Sequence, residues 1–317
     1  MPSNQSPLGA LPARFRRERL LIVGYGDIGQ RVSRLLAANS GKTRRMQVLV
    51  LNRDPARTAA LRAQSVVPLA GNLDQPASLK RLAGLANRVL HLAPPPNTAQ
   101  GSAGEELDRR TIVLMQALRL RSLPRSLVYA STSGVYGDCQ GQMVTETRTV
   151  APGTGRGLRR VNAERVIRFA GRSGLRASIL RIPGIYAPDR EGGTPRARLL
   201  RGTPVLHASD DVYTNHIHAD DLARACLKAL WLGRPQRIYH ASDDTQMKMG
   251  DYFDLAADLY ELPRPSRISR QQAVTELPAM LLSFMSESRR LSNQRLKHEL
   301  KLRLSYPTVR EGLIESQ

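Results

Sequence analysis

Three glycines at fixed spacing constrain this chain more than any other feature. The apolar run Leu20-Leu21-Ile22-Val23 leads directly into Gly24-Tyr25-Gly26-Asp27-Ile28-Gly29, and a helical stretch over 27–38 follows. G-x-G-x-x-G is a weak match by itself; between a strand and a helix it marks a loop that holds a pyrophosphate. Gly24 would permit the tight turn, Gly26 the close approach of the anion, and Gly29 close packing of helix on strand. Free N–H groups and partial positive charge at the helix N-terminus complete such a site.

The rest of the first half repeats this alternation. Short apolar runs at 20–24, 46–51, 88–92 and 126–130 are separated by helical stretches at 27–38, 55–63 and 105–120. Nearly continuous apolar strands suit a parallel sheet buried on both faces. Strand–helix alternation predicts a Rossmann-type, doubly wound parallel α/β domain. Further on, the pattern predicts a helix over 160–171, a strand over 177–181 and a loop over 183–202. Helices at 252–262 and 286–302, split by Pro263-Arg264-Pro265-Ser266, give a smaller, mainly helical C-terminal substrate lobe. The expected division is a basic tail over 1–18, a dinucleotide-binding domain over 19–180 and the lobe over 181–317. A segment near 215–240 is expected to return to the first domain.

Composition narrows the function. With 317 residues, 41% of them hydrophobic, the chain can bury a large core. No uncharged apolar run approaches the ~18–20 residues of a membrane span. The first 18 residues carry Arg14, Arg16 and Arg17 without an apolar stretch and do not read as a secretory signal. Two cysteines, Cys139 and Cys226, are too few for a disulfide framework and fit a reducing, cytoplasmic setting. The formal charge of +21 comes mainly from dispersed Arg, since only six of the 48 basic residues are Lys. Aromatics are 4%, so the interleaved rings that stack single-stranded bases are missing, and specific nucleic-acid binding is not expected.

Dinucleotide choice is read after the second strand, at Asn52-Arg53-Asp54-Pro55. An acidic residue there accepts the ribose hydroxyls of NAD, and a basic one tolerates the 2′-phosphate of NADP. Asp54 before Pro55 fits a helix N-cap and first-turn pair. That leaves Arg53 for the cofactor and makes NADP the preferred form, with NAD as the alternative.

Taken with downstream motifs, these residues resemble the short-chain dehydrogenase/reductase superfamily, and within it the NAD-dependent epimerase/dehydratase family and its atypical extended members. Ser131-Thr132-Ser133-Gly134-Val135-Tyr136-Gly137 is similar to the family's active-site hydroxyl loop, with Thr132 at the catalytic position. Leu180-Arg181-Ile182-Pro183-Gly184-Ile185-Tyr186-Ala187-Pro188 resembles the loop that closes over the nicotinamide. Asn215-His216-Ile217-His218-Ala219-Asp220-Asp221-Leu222-Ala223 resembles the histidine–aspartate segment. Ser288-Arg289-Arg290-Leu291-Ser292-Asn293 and Tyr306-Pro307-Thr308-Val309-Arg310-Glu311-Gly312-Leu313 resemble the C-terminal signature of the atypical members.

One departure stands out. Anchored on Asn162-Ala163-Glu164, the family's Tyr-x-x-x-Lys register places Arg156 where Tyr belongs and Arg160 where Lys belongs. A guanidinium stays protonated at ordinary pH and cannot replace Tyr as an acid. Arg160 could still position the nicotinamide ribose, and Arg156 could hold an anionic substrate. Tyr186 is a candidate proton donor near the nicotinamide, Tyr213 another residue facing the cleft, and Tyr136 a packing element. The hydroxyl of Thr132 has a plainer use in satisfying backbone groups at a strand end. His216 and His218 are expected on opposite faces of an extended segment, one of them anchoring it, with no metal partner at useful spacing. Asp220 and Asp221 are expected to cap the helix 222–230 rather than form an acid–base dyad.

The resemblance implies an NAD(P)-dependent oxidoreductase acting on a sugar nucleotide or similar polar carbonyl compound. A sensor or scaffold that keeps the dinucleotide but lacks turnover is the alternative. Partners are then small molecules, with no membrane and no metal, and a homodimer is compatible with such a fold.

Overall fold

A computed structural model describes residues 18–38, 46–96 and 106–314; the basic arginines Arg14, Arg16 and Arg17 and residue Glu105 lie outside them. Seven strands form the central sheet: β1 (Arg19–Val23), β2 (Gln47–Asn52), β3 (Val67–Ala70), β4 (Arg88–His91), β5 (Ser126–Thr132), β6 (Arg176–Ile182) and β7 (Arg237–His240). Their order is β3-β2-β1-β4-β5-β6-β7, and every neighbouring pair is parallel. The order reverses between β1 and β4, and the crevice at that switch point is where ligands of such sheets bind.

Alternate residues of the strands feed two cores, as a side-chain period of two requires. Leu20, Ile22, Val50 and Val128 pack against helices α1 (Asp27–Ala38) and α5 (Ala219–Leu232) through Val32, Leu222 and Cys226. Leu21, Val23, Leu49 and Leu127 face α3 (Arg109–Leu118) and α4 (Gly155–Gly171) through Leu114, Leu118, Ala163 and Ile167. Leu20, Leu21, Ile22 and Val23 are all fully buried, each contributing about 1.5–3 kcal/mol of transfer free energy. A short helix α2 (Thr58–Ala63) bridges β2 and β3.

Beside the sheet lies a third core, built on helix α6 (Met249–Leu259) with Val205, Leu206, Ile268, Val309 and Leu313. Its segments also form short ladders, Val205–Leu206 with Arg267–Ile268 and Tyr213–Thr214 with Met247–Lys248. The chain re-enters the sheet layer twice. Residues 219–240 supply α5 and β7, and Leu296, Leu300 and Leu302 join the first core.

Several local expectations change. The helix over 286–302 does not form. Arg290–Leu291 is instead a strand parallel to Met143–Val144, because Ser288, Arg290 and Ser292 donate their N–H groups to Asp138, Gln142 and Val144. Only Gln294–His298 is helical there. The loop over 183–202 contains the strand Gly184–Tyr186, paired with His216–His218, and the helix Arg196–Leu200. Among the described residues no helix is long and apolar enough to cross a membrane, and no cluster of His, Cys, Asp and Glu could hold a metal ion.

Candidate active site

Two cavities open at the carboxyl ends of the strands. The first, about 680 Å³, runs from the glycine loop past the end of β2 to the end of β5. The second, about 530 Å³, lies between the end of β5, the start of α4 and the third core. Thr132 and Arg160 line both.

The glycine loop is built as an anion cradle. Gly24 has φ +95°, and a Cβ there would stand 2.4 Å from the nitrogen of Ala93. No L side chain fits that conformation or that space. A Cβ on Gly29 would meet the Tyr25 ring at 3.2 Å and an Ile22 methyl at 3.4 Å, so its absence lets α1 lie close on β1. At Gly26 nothing lies within 4 Å. That open face, with the first-turn amides of α1 beyond it, fits a pyrophosphate.

Asp27 would add negative charge to this cradle. It is countered by Arg31 at 2.9 Å and Arg190 at 3.5 Å. Arg31 is itself buried and also reaches Asp189 and Asp220, each at 2.6 Å. Burial works against its charge, but its three carboxylate hydrogen bonds outweigh that and hold the guanidinium above its usual range.

At the far end, Asp54 accepts from the N–H of Ala56 at 3.0 Å, with Pro55 opening the turn. Its carboxylate therefore caps a helix. Arg53 is exposed and lines the cavity together with Arg57. The acidic Asp74 on the same rim is clamped by Arg110 through two bonds of 2.7 Å, and chiefly that hydrogen bonding pulls its carboxyl below the usual range.

Where the cavities meet, Thr132 ends β5, and its Oγ1 accepts from the N–H of Gly134 at 3.2 Å. The backbone use anticipated for this hydroxyl is real, yet it engages the oxygen and leaves the hydroxyl proton to donate. Arg160 donates from Nη1 to the carbonyl of Ala130 at 2.7 Å and to the Tyr129 hydroxyl at 3.0 Å. Arg156, one helical turn earlier, is exposed on the rim of the second cavity, 5.2 Å from the Phe284 ring.

Two expectations about the histidine–aspartate segment need correction, and Tyr186 beside it is already engaged. Tyr186 lines the second cavity, but its hydroxyl donates to the carbonyl of Thr308 at 3.2 Å. Burial also pushes its pKa far above the phenol range, so the hydroxyl stays protonated. His216 and His218 do not face opposite ways. Residues two apart on a strand share a face, and both rings make edge contacts with Tyr186, at 6.1 and 5.3 Å between centroids. Burial pushes His216 down to about 4 and lowers His218, so both are neutral at pH 7. The cap of α5 is His218, whose Nδ1 accepts from the N–H of Asp220. Asp221, fully buried, instead receives the N–H groups of Ser305 and Tyr306 at 3.0 and 2.9 Å.

The second cavity also gathers residues that the sequence did not single out: Arg198, Tyr252, Phe253 and Glu287. Arg289 stands with them, donating to Glu287 at 2.8 Å. Its backbone is fastened by Asn215, which accepts from the N–H of Leu291 and donates to the carbonyl of Arg289. Only Arg289 and Asn215 lay within motifs visible in the sequence.

The model of the NAD dependent epimerase/dehydratase family matches residues 20–241. The chain belongs to that family. No curated protein matches it. A functionally unknown conserved protein from Silicibacter pomeroyi is 28% identical, with a TM-score of 0.76 over 93% of this chain and 96% of that one. The dTDP-glucose 4,6-dehydratase DesIV of Streptomyces venezuelae, solved with NAD, is 21% identical at TM-score 0.72 over 93% and 95% of the chains. The UDP-glucuronic acid 4-epimerase of Bacillus cereus, also solved with NAD, is 16% identical at TM-score 0.71 over 93% and 96%. The last two likenesses establish the Rossmann fold of this family member.

Proposed function

We propose that this epimerase/dehydratase family member is an NAD(P)-dependent oxidoreductase acting on a polar carbonyl or carbinol compound, a sugar nucleotide or similar small molecule. The carrying observation is that a dinucleotide-sized cavity and a second cavity meet at one hydroxyl, Thr132, and one cation, Arg160. The NAD-bound enzymes that share the fold support this reading.

When bound, the nicotinamide supplies and accepts the hydride. Gly24, Gly26 and Gly29 shape the backbone that receives the pyrophosphate. Arg53, exposed on the lining of the first cavity, would hold the 2′-phosphate of NADP and so favour it over NAD. Arg160, already fixed on Ala130 and Tyr129, positions the nicotinamide ribose. Thr132 donates to the substrate oxygen where negative charge develops. Arg156 contacts an anionic part of the substrate from the rim.

A second reading, a dinucleotide-binding sensor or scaffold without turnover, is favoured by Arg156 and Arg160 standing in the Tyr-x-x-x-Lys register. Calorimetry with NAD and NADP, followed by a panel of sugar nucleotides and simple carbonyls monitored at the reduced-nicotinamide absorbance, separates the two. Binding with turnover supports the enzyme; binding without any turnover supports the sensor. No heat with either dinucleotide rejects both.

A further inference from the structure

The second cavity contains a cation with no counter-charge. Arg198 sits on the short helix Arg196–Leu200 and lines the cavity. Its Nε and Nη2 are buried without a hydrogen-bond partner, and among the described residues no carboxylate pairs with it. Its guanidinium carbon lies 4.2 Å from the centre of the Phe253 ring. Burial, and then the neighbouring charge of Arg201, push its pKa down to about 10, so it remains a cation at neutral pH.

Arg198 is half-buried, and guanidinium donors shielded from water and left unpaired are costly; proteins tolerate them chiefly where a ligand completes them. Unmet hydrogen-bonding groups recur in the same cavity. Nε of Arg289 and Nδ1 of His216 are likewise buried and unpartnered. A run of rings links these groups, Phe253 to Tyr252 at 5.7 Å and Tyr252 to His216 at 4.3 Å. The one acid among these residues, Glu287, is already bonded to Arg289.

Resting on the oxidoreductase reading, we propose that Arg198 is the specificity-determining residue of the second cavity and takes one ionised oxyacid group of the substrate, a carboxylate or a phosphate. Stacking on Phe253 holds the planar fork in place, which suits two-point recognition of an oxyanion better than a lysine would. A carbonyl compound lacking such a group would leave the cation bare and bind poorly.

The test uses the full-length protein with NADPH present. Inorganic phosphate and acetate are titrated calorimetrically into wild type, Arg198→Gln and Arg198→Lys. Wild type is expected to bind one of the two anions. Arg198→Gln should weaken that binding about tenfold or more, and Arg198→Lys less, with NADPH affinity and the circular dichroism spectrum unchanged. A preference for phosphate assigns a phosphoester substrate, and one for acetate a carboxylate. Equal anion affinity in wild type and Arg198→Gln, or no anion binding by wild type, overturns the proposal. If NADPH itself does not bind, the oxidoreductase reading fails separately. The difference between wild type and Arg198→Gln, measured without cofactor, still decides the role of Arg198.

Discussion

Glu164 and Arg181 close a two-pronged ion pair inside the molecule, Nε to Oε1 at 3.0 Å and Nη2 to Oε2 at 2.6 Å. Both are buried, and Ser131 donates to the same Oε1 at 2.7 Å. From Arg181 the network continues to the Tyr136 hydroxyl at 2.7 Å, which donates to Nε2 of His240 at 2.6 Å. Nδ1 of that ring donates to the carbonyl of Ser292. The strand end that carries Thr132 is thus fixed by an ion pair between α4 and β6 and by hydrogen bonds that run on to β7.

Breaking this pair on one side strands a buried cation. Glu164→Gln should cost about 3–5 kcal/mol in urea denaturation. The apolar double replacement Glu164→Leu with Arg181→Met should recover much of that loss. Equal destabilisation in the single and double variants would show that charge pairing is not what fixes the strand end.

The roles of Gly24 and Gly26 separate by mutation. Gly24→Ala collides with Ala93 and should lower both the melting temperature and dinucleotide affinity. Gly26→Ala projects into open space. Its stability should stay within about 0.5 kcal/mol of wild type, while NADPH binding weakens at least about tenfold, or about 1.4 kcal/mol. Unchanged affinity in Gly26→Ala, read by nicotinamide fluorescence, would place the pyrophosphate elsewhere.

Once a carbonyl substrate is found, Thr132→Ala should lower kcat by about 10²–10³ while leaving the cofactor affinity intact. Thr132→Ser keeps the donor and should retain most activity. A matching loss in both variants would point to packing of the methyl group rather than the hydroxyl.

The proposed preference for NADP rests on one exposed cation, Arg53. Replacing Arg53 with Ala should weaken NADP about tenfold or more and barely alter NAD, since only the 2′-phosphate loses a charged partner. Parallel titrations of both dinucleotides decide this. An equal change in the two affinities would remove Arg53 from the preference.

Stability should rise with pH between about 4.5 and 6. Burial is the main cause holding His91, His216 and His240 down to about 3, 4 and 3. Each therefore takes up a proton only on unfolding once the pH falls below the unfolded value of about 6.5. Their stabilisation is present above that value and is lost as the pH falls toward the folded ones. Burial drives Asp243 the other way, up to about 8, so the folded state holds one proton more there. These four groups leave a balance of about two protons taken up on unfolding, so stability rises with pH there; burial also raises Glu146 and Asp211, which flattens the rise, and lowers His218, which steepens it. His91→Gln should reduce the slope of urea stability against pH by about one proton. An unchanged slope would mean that His91 is not buried neutral.

The glycine loop and its flanking elements were legible because their cause is local: a strand, a turn that demands glycine and a helix follow within twenty residues. The edge strands were not. β3 is four residues long and contains Pro68, tolerated at an edge, and β7 mixes Arg237 and His240 with two apolar residues. Thr132, Arg156 and Arg160 stand around the second cavity because the end of β5 and the start of α4 meet there. Arg198, Phe253 and Arg289 have no common local pattern; only the third core brings them to one cavity. The segment 288–292 read as helix because its bonding partners lie about 150 residues away, beyond any periodicity.

The repeated passage of the backbone from sheet layer to neighbouring core and back has a practical corollary. Neither half is a contiguous stretch of gene, so a fragment ending near residue 181 would lose α5, β7 and the leucines of 296–302 at once. Any opening between the halves must bend several connections in concert, which favours small sliding displacements over a wide swing about one hinge.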